Sequence, residues 1–263
     1  MKRRFSRINA IVIALITLTL SAPTAVAKDE WQRVITGADF IIDVSTASLL
    51  LQPNRTISAR FRTTLSKSEE IAANAGGKYR VRLETIQFRW NDRQYRISET
   101  ILLDTSGKAV FSSPPNDKIA WMDMKGPTTG RLFNAASELP PFGAWKVLSY
   151  RFAEGGPPET EDSPDLKNLI GSEFYLHFDR FQAGKATCST PEYEMRAITD
   201  KDFNALTGHP LKSVTVQTDK IEALILKCGS ETSFPPQSFC LRLAGGRMLM
   251  LWEGVFVELE KTK

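Results

Sequence analysis

Three cysteines and two histidines are the side chains best suited to covalent or metal chemistry in this chain of 263 residues. Cys188, Cys228 and Cys240 each offer a nucleophile, a metal ligand or half of a cross-link. A cysteine nucleophile needs a base beside it, usually histidine. His177 lies in the run YLHFDRF, where alternation sets it with Tyr175 and opposite Phe174, Leu176 and Phe178; His209 precedes Pro210. Nothing in that pattern brings either ring to a thiol. The cysteine spacings of 40 and 12, with no C-x-x-C and no H-x-x-x-H, lie outside common zinc frameworks. There is no G-x-S-x-G elbow for a serine hydrolase. The Gly-Gly pairs at 76–77, 155–156 and 245–246 read as turns, not phosphate cradles. A Cys-dependent enzyme therefore ranks last among the readings, and no catalytic residue, metal or cofactor is expected.

The other chemistry-bearing set is basic. Arg60, Arg62, Arg80 and Arg82, joined by Arg89 and Arg96, fall at alternate positions of successive stretches. On neighbouring strands they would form a basic face suited to an anionic glycan, lipopolysaccharide or an acidic envelope or host protein. Glu84, Asp92 and Glu99 are interspersed, so the plain rival is a solvated, charge-balanced sheet face. Trp31, Trp90, Trp121, Trp145 and Trp252 invite a sugar-binding reading, but the area each ring buries suits core positions better.

Positioning such residues is the work of strands. TISARFRTTL (56–65) places Ile57, Ala59, Phe61, Thr63 and Leu65 on one face and Arg60, Arg62 and Thr64 on the other. YRVRLETIQFRW (79–90) sets Tyr79, Val81 and Leu83 inward, then changes phase at Thr85 so that Ile86, Phe88 and Trp90 continue the apolar face. Such a shift predicts a β-bulge in that strand. Asn91-Asp92 turns the chain into QYRISETILL (94–103), with Tyr95, Ile97, Ile101 and Leu103 facing in. DTSG (104–107) turns it again. The sum is an antiparallel meander with one buried face. TTGRLFNAASEL (128–139) then shows helical spacing at Leu132, Phe133, Ala136 and Leu139, with Thr128 or Thr129 as cap and Pro140-Pro141 as stop. One helix is expected to cover the sheet.

EGGPPETEDSP (154–164) has three prolines, four acidic groups and no large apolar residue, so it cannot order itself by burial. It predicts a linker over 154–168, between a first domain at 28–153 and a second at 169–263. The second is rich in short apolar runs (EFYLHF, EALILKC, FCLRL, RMLMLWE, VFVELE) and reads as a small antiparallel barrel or sandwich. The fold class expected is mostly β (α+β).

The first residues, MKRRFSRINAIVIALITLTLSAPTAVA, have the basic start, short apolar core and small-x-small end of a secretory signal peptide, with cleavage expected after Ala27. That stretch holds four basic residues and no acidic one, against 34 basic and 30 acidic in the whole chain. The remainder is neutral, so the basic pI is no argument for nucleic-acid binding. Charge is nevertheless uneven: +5 over 28–153, −4 over 154–168 and −1 over 169–263. The expectation is a periplasmic or secreted protein with no membrane span after cleavage. In such an oxidising compartment thiols pair. Cys188 and Cys228, both at strand ends, are the favoured pair; Cys228 with Cys240, aligned across a hairpin, is the competitor.

Residues 31–139 resemble the surface-adhesin protein E family. The resemblance runs through WQRV (31–34), FIIDVSTASLL (40–50), YRVRLETIQFRWNDRQYR (79–96), LLDTSGKAVFSS (102–113) and WMDM (121–124), and on into the 128–139 helix. It implies an antiparallel sheet with a packed helix, and binding of envelope or host macromolecules without catalysis. One departure stands out: the family often ties that helix down with a disulfide, and residues 28–187 contain no cysteine. The second half resembles no family. The reading that emerges is a non-catalytic, adhesin-like envelope binder. The alternative is a lipocalin-like barrel holding a small apolar ligand.

Overall fold

A computed structural model describes residues 30–71, 77–152, 164–214, 218–229, 237–252 and 255–262. The signal-like stretch and most of the acidic 154–168 segment lie outside these residues. The chain is mostly β, with two antiparallel sheets and few helices.

The first sheet is built from β1 (Trp31–Thr36), β2 (Phe40–Ser45), β3 (Leu50–Gln52), β4 (Thr56–Glu70), β5 (Lys78–Arg89), β6 (Gln94–Leu103), β7 (Ala109–Ser113) and β8 (Met122–Asp123). Its order is β1-β2-β4-β5-β6-β7, with β3 added to β4 and β8 to β6. The alternation of β4 works as its sequence suggests: Ile57, Ala59 and Phe61 are fully buried. Opposite them on β5 stand Phe88, Ile86 and Glu84. The turns are local chemistry. Arg93 takes a left-handed φ of 51° after Asn91-Asp92. Asp104 accepts hydrogen bonds from the Ser106 and Lys108 amides and the Ser106 hydroxyl, closing the next turn.

The expected bulge is present but in the neighbouring strand. β5 alternates without interruption against β4, from Thr56↔Arg89 to Thr64↔Val81. Against β6 the register jumps from Thr85↔Glu99 to Ile86↔Ile97, which leaves Ser98 as the extra residue. Residues 80, 82, 84, 86 and 88 therefore share one face. The apparent phase change marks where the core ends, not a kink. Beyond the bulge it is Leu102 that is buried, and Ile101 and Leu103 turn to the other side.

Helix α1 (Pro127–Ser137) lays Leu132 and Ala136 on the core. Its start differs from expectation: Gly126 is the N-cap and makes no side-chain cap bond, while Thr129 donates back to the Lys125 and Gly126 carbonyls. Proline at the first helical position supplies the preset φ there. Phe133 touches Phe88 of β5, at 5.7 Å, and Phe178 of the second half, at 5.2 Å.

The second sheet contains β9 (Gly143–Arg151), β10 (Glu173–Leu176), β11 (Phe181–Ala183), β12 (Ala186–Cys188), β13 (Glu192–Thr199), β14 (Lys220–Lys227), β15 (Gln237–Arg242), β16 (Met248–Trp252) and β17 (Val255–Lys261). Two helices accompany it: α2 (Pro164–Leu169) and α3 (Asp200–Thr207). The order is β12-β11-β10-β9-β17-β16-β15-β14-β13. Two features depart from the expected division. β9 falls before residue 153 yet pairs with β10 and β17, so the second sheet begins at Gly143. The two sheets also share one buried cluster, from Phe61 and Phe88 through Leu132 and Leu139 to Trp145, Phe174 and Phe181. The segment rich in proline separates strands, not cores.

The second sheet must curl. Nine strands laid flat at about 4.8 Å spacing would put β12 and β13 nearly 40 Å apart. Those two edge strands are joined by residues 189–191 alone, a span of at most about 14 Å. Curling gives the strands β14–β17 two buried faces. Leu224, Leu226, Cys240, Met248, Met250 and Val257 point inward. Ala223, Ile225, Phe239, Leu241, Leu249 and Phe256 point outward, under Phe203 of α3 and the turn at Leu211–Val214. Burial on both faces explains why these strands read as unbroken apolar runs.

Candidate functional site

The six arginines singled out by their spacing do not share a face. Register places Arg60 opposite Thr85, Arg62 opposite Asp43, Arg89 opposite Thr56 and Arg96 opposite Gln87, all on the side of the first sheet turned away from the core. Arg82 pairs with Thr63, on the same side as Phe61, and alternation puts Arg80 there too. The predicted stripe is corrected to a group of four, with Arg80 and Arg82 behind it. The cause is the uninterrupted alternation of β5.

On the outer face the charges are laced together. Asp43, 3% exposed, receives Arg33 at 2.7 Å and Arg62 at 2.9 Å. Burial by itself would raise the Asp43 pKa; hydrogen bonds and charge from Arg33 and Arg62 outweigh it and hold the carboxyl below its usual range. Arg60 reaches Glu99 at 3.4 Å. Arg96, largely enclosed, is bonded to Gln87 and to the Asp117 carboxylate and carbonyl. Two tryptophans serve as platforms: Trp31 lies under Arg62 at 4.4 Å, and Trp121 under both Arg89 at 4.1 Å and Arg96 at 4.5 Å. Among the described residues Arg89 has this stacking and no hydrogen-bond partner, so its N–H donors remain for something else.

The periodicity of the arginine strands could not reveal their partners. Asp43, Arg33 and Asp117 lie outside those stretches. One signal was available: Asp43 interrupts the apolar strand FIIDVS. Trp121 follows a stretch with no strand period. On the opposite face Glu84 is buried and its pKa rises through desolvation, which Arg82 at 3.2 Å only partly offsets.

Cys188 and Cys228 form the disulfide, with Cα atoms 5.8 Å apart, and the Cys228–Cys240 alternative falls. Cys240 is a buried free thiol whose pKa desolvation pushes up to about 12. His177 sits against Asp179 through Nδ1 and against the rings of Tyr175 and Phe178. A bonded Cys188 is no nucleophile, so the cysteine–histidine reading loses its central residue. Trp145, Phe174, Phe181, Tyr193, Met250 and Trp252 face the inside of the curled sheet and are all buried. Trp145 and Trp252 are core, as the ring area suggests, whereas Trp31, Trp90 and Trp121 are only partly buried.

No family model, curated protein or solved structure matches the chain. Nor is any described helix long and apolar enough to cross a membrane.

Proposed function

We propose that this protein is an exported, non-catalytic binding protein of the bacterial envelope, adhesin-like in its first sheet, which holds an anionic polysaccharide such as lipopolysaccharide or a sulfated or carboxylated glycan. The observation that carries the reading is the outer face of the first sheet. Five guanidinium groups (Arg33, Arg60, Arg62, Arg89 and Arg96) meet three carboxylates (Asp43, Glu99 and Asp117), and tryptophan rings fix the planes of three of them. A guanidinium stacked on an indole keeps its in-plane donors for phosphate, sulfate or carboxylate. The resemblance of residues 31–139 to the surface-adhesin protein E family points the same way, and the disulfide suits an oxidising compartment.

Retention on immobilised heparin or lipopolysaccharide tests this. Retention should fall steeply as salt rises. The double variant Arg60→Glu/Arg89→Glu should elute at much lower salt than the parent. Arg80→Glu/Arg82→Glu, on the opposite face, should elute with it. Equal elution of the parent and Arg60→Glu/Arg89→Glu would overturn the proposal.

A further inference from the structure

One end of the curled second sheet carries charge inside the curl. Along β15 the inward positions run Ser238, Cys240, Arg242; along β17 they run Val255, Val257, Leu259, Lys261. Arg242 pairs with inward Met248, and Lys261 with inward Trp145. Both cations are therefore the last residues of otherwise buried columns, placed at the open end of the curl. Above them the turn between β15 and β16 brings Arg247, and Gly245 and Gly246 hold φ at 76°, with open space where a Cβ would stand. Pro140-Pro141 closes the other side. Together these residues line a cavity of about 550 Å³.

Its charge is lopsided. Arg242, Arg247 and Lys261 line it, with Glu260 as the lone carboxylate among the lining residues. The guanidiniums are braced from outside the cavity: Arg242 by Glu222 at 3.0 Å, and Arg247 by Glu258. Each brace uses one nitrogen of a group that carries five N–H donors. Among the described residues Lys261 donates to the Glu138 carbonyl, at 3.4 Å, and desolvation lowers its pKa, which the charge of Glu138 partly offsets. The Trp145 indole N–H is spent on the Pro141 carbonyl, and the apolar surface of the cavity comes from the partly exposed Pro140 and Leu243.

We propose that this barrel mouth is a second binding site, specific for a phosphate or sulfate ester on a small ligand or a glycan residue. The two braced guanidiniums match the several oxygens of a tetrahedral anion, and the carbon part of the ester rests against the partly exposed Pro140 and Leu243. The cavity is several times larger than the anion alone, so it takes the ester and not just the ion. The site is independent of the outer face of the first sheet and stands whether or not that face binds a polysaccharide.

Titration calorimetry of the full exported chain with glucose 6-phosphate, inorganic phosphate and glucose tests the assignment. Glucose 6-phosphate should bind with a Kd of about 1 mM or tighter. Inorganic phosphate should compete for the site, and glucose should give no heat. Arg242→Gln/Arg247→Gln should weaken glucose 6-phosphate at least tenfold, while Arg60→Glu/Arg89→Glu leaves it unchanged. Arg247→Gln alone alters a half-exposed side chain, keeps the fold and should weaken binding severalfold. Failure of glucose 6-phosphate to bind, equal binding of glucose, or an undiminished affinity in Arg247→Gln would each overturn the site without touching the polysaccharide proposal.

Discussion

At the scale of single residues, two carboxylates on opposite faces of the first sheet have pKa values displaced in opposite directions. Asp43 is depressed because two arginines donate to it. A depressed folded pKa contributes stability in full above the ordinary aspartate value of about 3.9 and loses it as pH falls through the lower folded value. Glu84 is raised by burial. Its protonated form suits the fold, so its contribution is full below about 4.3 and is lost as pH rises through the folded value. Asp43→Asn should cost about 1–3 kcal/mol at pH 7, because two guanidiniums lose a charged acceptor; an unchanged melting temperature would refute the bridging role. Glu84→Gln should behave in the reverse sense. The difference in melting temperature, variant minus parent, should be more positive at pH 7 than at pH 3. Neither carboxylate could be read from its own strand. Asp43 needs Arg33 from β1 and Arg62 from β4, and which side of a sheet is buried is a tertiary fact.

At the scale of elements, legibility followed burial. Strands that turn one face to the core, such as β4, show a clean period of two, and their inward residues Ile57, Ala59 and Phe61 are all buried. Turns driven by side chain–backbone bonding, such as Asp104–Gly107, were equally readable. The arginine stripe failed for a related reason. Where β5 runs past the edge of the core, its inward face turns polar, and a pattern read as a change of phase is a change of environment. For β14–β17, buried on both faces, alternation vanishes and the sequence gives no face to either side. There the covering element is decisive. α3 opens with a reciprocal Thr199–Asp202 capping box, ends at left-handed Gly208 and buries Phe203 between Phe239 and Phe256. Phe203→Ala should therefore cost about 3–5 kcal/mol. Calorimetry that shows less than about 1 kcal/mol would mean α3 only rests on the sheet.

At the scale of the whole molecule, the disulfide does more than join two strand ends. It bonds Cys188 of edge strand β12 to Cys228, just beyond β14, the strand beside the opposite edge β13. It therefore staples the seam along which the nine-stranded sheet comes round on itself. Two bonds among the described residues lie beside it: Tyr193 donates to the His177 carbonyl at 2.8 Å, and Arg55 reaches Thr190 in the short connection at 3.2 Å. Closing a 40-residue loop is worth about 2–4 kcal/mol through the unfolded chain. An unfolded-state effect of that kind lowers global stability without singling out any strand. A seam staple makes a further demand, because its loss lets the edges part while the middle of the sheet, locked between two apolar layers, stays closed. Hydrogen exchange on a Cys188→Ser/Cys228→Ser variant separates the two. Amides of β12 and β13 should lose protection by more than the global fall in stability, with β16 and β17 tracking that fall alone. Uniform loss across all four strands would leave the disulfide as a loop constraint, and the curl of the sheet would then rest on its core packing without a fastener.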